Sequence, residues 1–221
     1  MSTTITTVLF DVDGTLVDSN DAHAHAWVQA FADAGIRVEY DKVRCSIGMG
    51  GDKMMPAVSG IAEDSPLGQR ISNGHREIFK TAFLPALKPF RDAGRLVATL
   101  QQRGLKATAA SSAKREELEA LLKIADATSL LGAAASSDDA DESKPDPDII
   151  QAALKKMHAK PNQAVMIGDT PYDVEAARRA GVTPLAFRCG GWSDDALKGA
   201  AAIYDGPWDL LAALPASLLA A

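Results

Sequence analysis

The sequence predicts an α/β fold: a doubly wound parallel sheet with a helical domain inserted after the first strand. Three observations predict it. Apolar runs end abruptly in polar residues at Asp11, at Ser111 and at Gly168-Asp169. Helical patterns lie between and after those runs, and strands alternating with helices imply a parallel sheet. From about residue 18 to 87 the alternation stops, and helical text continues without a clear strand. A chain of 221 residues is long enough for one core with a smaller unit attached.

In order along the chain, Ile5 to Phe10 is a β-branched, nearly continuous apolar run, as expected of a strand buried on both faces. Ser19, Asn20 and Asp21 suit a helix start. Ala22, Ala26, Trp27, Ala30, Phe31 and Ala34 then form an apolar stripe at helical spacing. Leu84 to Pro89 reads as the return hinge of the insert, paired with an outgoing hinge near Val17. The expected domains are therefore residues 1–17 with 88–221, and residues 18–87. Helical patterns follow at Phe90 to Arg103, Lys114 to Lys123, Pro147 to Met157 and Tyr172 to Ala180, the last stopped by Gly181. The intervening strands are Lys106 to Ala110 and Ala164 to Ile167, with shorter ones at Val182 to Phe187 and Ala201 to Tyr204. In open α/β sheets the ligand sits beyond the carboxyl ends of the strands, so the three polar terminators should converge on one crevice.

Composition narrows the partners. A hydrophobic fraction of 47% with 24% charged residues is that of a globular protein. A net charge of -6 argues against a broad phosphate-backbone footprint, so nucleic acid is not expected as a partner. Cys45 and Cys189 are far apart and in no metal-like spacing, which favours two unpaired thiols in a reducing compartment. Met1 to Asp11 has no basic segment, and its apolar run meets an acidic cluster too soon for a signal peptide or membrane span; a cytoplasmic protein without a membrane partner is expected.

Asp11-Val-Asp-Gly-Thr15 places two carboxylates in a tight turn directly after the first strand. Gly168-Asp169-Thr-Pro-Tyr-Asp173 brings more to another strand end. Water alone relieves such a concentration of negative charge poorly. A hard divalent cation does so naturally, and Mg²⁺ takes a few carboxylates together with water and phosphate oxygens.

These segments, with Ser111 after the second strand and Lys144 in Ser143-Lys-Pro-Asp-Pro147, make the chain resemble the haloacid dehalogenase-like superfamily across nearly its whole length. Each signature alone is weak; the four in order are specific. The resemblance implies a Rossmann-like core and a cap of the α-helical type. It also implies a Mg²⁺-dependent phosphatase acting on a small phosphorylated metabolite, a sugar phosphate or phosphoglycolate-like compound, as a monomer or small homo-oligomer. Asp11 would be the nucleophile, and Asp13 the general acid and base. Mg²⁺ would be held by Asp11, Asp169 and the main-chain carbonyl of Asp13. Ser111, Ser112 and Lys144 would bind the transferring phosphate, while Asp173 orients Lys144 or a metal-bound water.

Each residue also has a plainer reading: a capping pair for Asp11 and Asp13, a polar strand end for Ser111, a solvated loop Lys for Lys144, a helix-start acid for Asp173. In the insert, His23 shares the apolar stripe with Trp27 and faces either substrate or the helical core. Lys53, behind the Gly-rich Ile47 to Asp52, reaches either an anionic substrate tail or solvent. Asp13 disfavours haloacid dehalogenase, whose halide needs no proton, and phosphonoacetaldehyde hydrolase, which resembles this chain in a cap Lys but has Ala at that place. A β-phosphoglucomutase-like phosphotransferase is the alternative, yet Gly48 to Asp52 lacks the Arg that clamps a second phosphate. A non-catalytic binding module would be expected to have lost one of Asp11, Asp13, Lys144 or Asp169.

Overall fold

The computed structural model describes residues 4–219. The chain divides into two compact units, one comprising the residues up to Asp18 and from Lys88 onward, the other Ser19–Leu87. Asp18 belongs with the first because its N–H donates to the Lys88 carbonyl at 3.0 Å.

The first strand, β1 (Thr7–Phe10), is buried along its whole length. Its ladder begins slightly before the strand proper: Thr6 donates to Gln163 and accepts from Lys106. Asp11 then ends the apolar run, and Gly14, with φ of 70°, turns the chain as few other residues could.

The helical unit follows as α1 (Asn20–Asp33), α2 (Tyr40–Arg44), α3 (Gly51–Ser59) and α4 (Pro66–Ile78), with α4 running into a π-helical turn, Phe79–Phe83. Ser65 caps α4, its hydroxyl accepting from the Gly68 N–H, and Pro66 occupies the first helical position, where its missing N–H costs nothing. The unit has its own core of Ala24, Trp27, Ala30 and Phe31 from α1, Met54, Met55 and Val58 from α3, and Ile71 from α4. Each large side chain so buried contributes about 1.5–3 kcal/mol. Of the predicted stripe, Trp27, Ala30 and Phe31 lie in this core and Ala34 packs partly buried against it; Ala26 is buried outside the cluster and Ala22 is half-buried, while Ala24, not in the stripe, joins the core.

The chain returns through a turn at Leu84–Ala86 and pairs with the outgoing segment. Val17 bridges Pro89 in antiparallel fashion, and the Phe90 N–H donates to Leu16 at 2.9 Å. Then come α5 (Ala93–Gln102), β2 (Lys106–Ala109), α6 (Arg115–Ile124), α7 (Asp148–Met157), β3 (Ala164–Gly168), α8 (Pro171–Arg179), β4 (Thr183–Phe187), β5 (Ala202–Tyr204) and α9 (Pro207–Ala213). The sequence pattern starts α5 at Phe90, but Asp92 adopts a left-handed conformation, φ 62°, which no right-handed helix continues through.

Among the described residues five strands form one sheet in the order β2-β1-β3-β4-β5, every pair parallel. Helices flank it in pairs: α5 packs on α9, and α7 on α8. Leu9 and Met166 from the sheet meet Ile149, Ile150 and Ala153 of α7 and Ala176 and Ala177 of α8 in one cluster. From β1 the chain goes first to β2 on one side and later to β3 on the other, so the order reverses at β1. That reversal opens the crevice in which such sheets hold ligands. Among the described residues no helix is long and apolar enough to cross a membrane. Cys45 and Cys189 are not joined in a disulfide.

Candidate active site

Register brings the polar terminators level. Phe10 pairs with Ala109 on one side and Ile167 on the other, so Asp11 stands beside Ala110 and Gly168. The Asp11 N–H donates to Ile167 at 2.8 Å, and the Ala110 N–H to Phe10 at 2.7 Å. Asp11 and Asp169 therefore emerge side by side at the reversal point.

Lys144 enters this cluster from the loop before α7. It is 1% exposed. Its Nζ lies 2.5 Å from Asp11 Oδ1 and 2.7 Å from Asp173 Oδ1. Asp173 is fixed from its other oxygen: Oδ2 accepts from the N–H and hydroxyl of Thr170 at 3.1 and 2.7 Å, closing a capping box at the start of α8. Gly168 permits this closeness, since a Cβ there would overlap the Asp173 side chain. Thr15 joins the two strand-end acids, its hydroxyl 2.8 Å from Asp169 Oδ1 and 3.4 Å from Asp11 Oδ2. Thr15 was not among the residues the sequence singled out. Its only signal was its place in the Asp11 motif, and the partner that gives it a role is distant in sequence.

Electrostatics follow from this crowding. Burial pushes the Asp11 carboxyl well above the usual range. Lys144 pulls it back, and Asp173, Asp169 and Asp13 push it further up. Burial alone would lower Lys144, but the Asp11 and Asp173 carboxylates more than offset that and hold it charged. Asp11, Asp169 and Asp173 are all buried and offer oxygens within 4.8 Å of one another, with the ammonium of Lys144 set against two of them. An oxygen-only donor set with an excess of negative charge fits a hard divalent cation.

The remaining expected residues stand as follows. Asp13 is half-buried in the turn beyond β1. Ser111, buried beyond β2, accepts from the Ala113 N–H at 3.1 Å and donates its own N–H to Ala135. Next to it, the Ser112 hydroxyl oxygen is buried without a hydrogen-bond partner among the described residues. His23 and Lys53 belong to the helical unit. Lys53 is half-buried in the first turn of α3. The His23 ring stacks on Phe79, centroids 3.8 Å apart, and its Nδ1 lies 3.3 Å from Nε2 of His75, which in turn stacks on Trp27 at 4.0 Å. The sequence reading had not picked out His75, although it lies one helical turn before Phe79. Burial, with His23 and then Arg76, holds its pKa well below 6.5.

Residues 8–187 match the family model described as haloacid dehalogenase-like hydrolase. A phosphoglycolate phosphatase from Cupriavidus necator is 30% identical over 220 residues, covering 96% of this chain and 93% of that protein. A validoxylamine A 7'-phosphate phosphatase from Streptomyces hygroscopicus subsp. limoneus is 30% identical over 179 residues, 79% of this chain and 81% of its own. Among solved structures, a hydrolase from Pseudomonas syringae superposes with a TM-score of 0.88 at 30% identity, covering 96% of this chain and 98% of that one.

Proposed function

Because the chain belongs to the haloacid dehalogenase-like hydrolase family, we propose that it hydrolyses a small phosphomonoester through an aspartyl-phosphate formed on Asp11. The observation that carries this reading is a buried strand-end carboxylate with a cation fixed against it: Asp11 and Lys144, 2.5 Å apart. Asp11 attacks phosphorus, the bond to the leaving oxygen breaks, and Asp13 supplies that oxygen with a proton. The Asp13 carboxylate then takes a proton from the water that attacks the phosphorus, which frees inorganic phosphate and restores Asp11. Ser111 and Ser112 hydrogen-bond the transferring oxygens, and Lys144 stabilises the charge that spreads over them.

The fit of the donor set to a hard divalent cation supports Mg²⁺, held by Asp11, Asp169 and the main-chain carbonyl of Asp13. When bound it would neutralise the repulsion between the nucleophile and the phosphate dianion. Asp173 is left to hold Lys144 in place, a division that its 2.7 Å contact with the ammonium supports.

The phosphatase names of the two relatives support a phosphorylated small metabolite as substrate. We assign the choice among such metabolites to the helical unit as a cap, with Lys53 meeting an anionic substrate tail; the ring stack around His23 supports a structural part for that residue.

The test is phosphate release from a panel of phosphorylated metabolites, with and without Mg²⁺, by the native chain and by Asp11→Asn. Release is expected only from the native chain with the metal. Full activity in Asp11→Asn, or in excess chelator, would sink the mechanism. Conversion of β-glucose 1-phosphate to glucose 6-phosphate without matching free phosphate, in the presence of a bisphosphate primer, would replace hydrolysis with phosphotransfer.

A further inference from the structure

The turn after β4, Arg188–Gly190, touches both acidic loops of the site without contributing a carboxylate. Gly190 lies so close to Asp169 that a Cβ there would overlap the carboxylate. Cys189 directs its thiol at the main-chain carbonyl of Gly14, 3.5 Å away, in the loop that opens with Asp11. A thiol is a weak donor. A firmer grip comes from the residue before these two. Arg188 donates from Nε and Nη2 to the two oxygens of Asp194 at 2.5 and 2.9 Å, and from Nη1 to Asp205 at 2.7 Å. Asp194 stands in the connection between β4 and β5, and Asp205 directly follows β5. One guanidinium thus ties the turn to the edge of the sheet. Single surface ion pairs contribute little, but a planar fork engaged bidentately by one carboxylate and again by a second is the favourable exception.

We propose that Arg188–Gly190 is a positioning element for the acidic cluster: Arg188 anchors the turn, and the turn fixes where Asp169 stands relative to the Gly14 loop. The proposal rests on the reading of Asp169 as a Mg²⁺ ligand. Groups that orient a metal ligand from behind govern metal affinity by about 10–100-fold. Neither Arg188 nor Gly190 need touch the substrate to do so.

The test measures divalent-ion affinity directly, by calorimetry with Mg²⁺ and by the electron paramagnetic resonance of Mn²⁺, on the full chain at a temperature below melting. Arg188→Ala and Gly190→Ala should each raise the Kd by about tenfold or more while circular dichroism stays native. Arg188→Lys, which keeps a charge but not the fork, should fall between Arg188→Ala and the native chain. That graded rescue is not expected of a residue that merely adds stability. If Gly190→Ala does not fold, the two substitutions at the half-buried Arg188 carry the test. A native Kd in folded Arg188→Ala overturns the positioning role. A native Kd in Asp169→Asn overturns the reading of Asp169 as a ligand, and the proposal falls with it.

Discussion

Lys144 is buried between two carboxylates, and its removal changes both the charge and the proton affinity of its neighbours. The forces on Asp11 are burial, which raises its pKa, and Lys144, the one group among its causes that lowers it; Asp173, Asp169 and Asp13 all raise it. Without Lys144 the one charge among those causes that favours the carboxylate is gone while burial and the three neighbouring acids remain, and in the proposed mechanism a protonated Asp11 is not a nucleophile. In Lys144→Ala the acid limb of kcat/KM should therefore move to higher pH, and kcat at the optimum should fall by about a hundredfold or more. Rate profiles between acid and neutral pH, at saturating Mg²⁺, check this; an acid limb at its native position would contradict the account. Loss of one partner from a buried pair also costs about 3–5 kcal/mol, so the variant should melt earlier. Asp11 and Asp169 were legible as candidates because acids at the ends of apolar runs stand out, whereas Lys144 and Asp173 were legible through the resemblance of their segments to the superfamily's signatures. The Thr15 hydroxyl did not stand out. A threonine in a turn is ordinary, and only the fold brings Asp169 to it.

Among the elements, the pairing of α1 with α4 and the turn that extends it holds four rings in sequence: Trp27, His75, His23 and Phe79. A buried His75 with a depressed pKa makes this pairing sensitive to acid. Between the unfolded value near 6.5 and the lower folded value, the unfolded chain binds more protons than the folded one. Stability is thus fully present above that unfolded value and is lost as pH falls through the window, by up to about 1.4 kcal/mol per pH unit. Chemical denaturation at pH 7.5 and at progressively lower pH should show the loss, and His75→Phe should flatten it; an unchanged slope in the variant would remove His75 as its source. The α1 stripe itself was readable, since helical spacing of apolar residues is a local property. The ring stack was not, because its members come from separate segments and a lone His in a sequence looks like any other. For the same reason the start of α5 was misplaced by three residues: the left-handed turn at Asp92 is set by its surroundings and not by its own composition.

The division into a sheet-bearing unit and a helical one has a bearing on what each could do alone. Every carboxylate of the acidic cluster, together with Lys144 and Thr15, lies in the sheet-bearing unit. The outgoing and returning segments meet there, with Asp18 bonded to Lys88 and Val17 bridged to Pro89. A chain in which Ser19–Leu87 is replaced by a two-residue Asn-Gly turn, the kind that joins antiparallel neighbours, should fold, melt cooperatively and bind a divalent ion. Circular dichroism, a thermal melt and calorimetry would check it; an aggregated or non-cooperative product would show that the sheet needs the helices. The alternating pattern announced the parallel sheet, and its interruption announced the insert. The strand order was not written in either, because it is decided by which crossovers pack.

The bridge between Val17 and Pro89 also bears on descent. Since the two ends of the helical segment stand one backbone hydrogen bond apart, a foreign segment of any length can be spliced in at that point without shifting a strand by a residue. Recombination can then exchange the helical segment wholesale, while selection on the sheet goes on undisturbed.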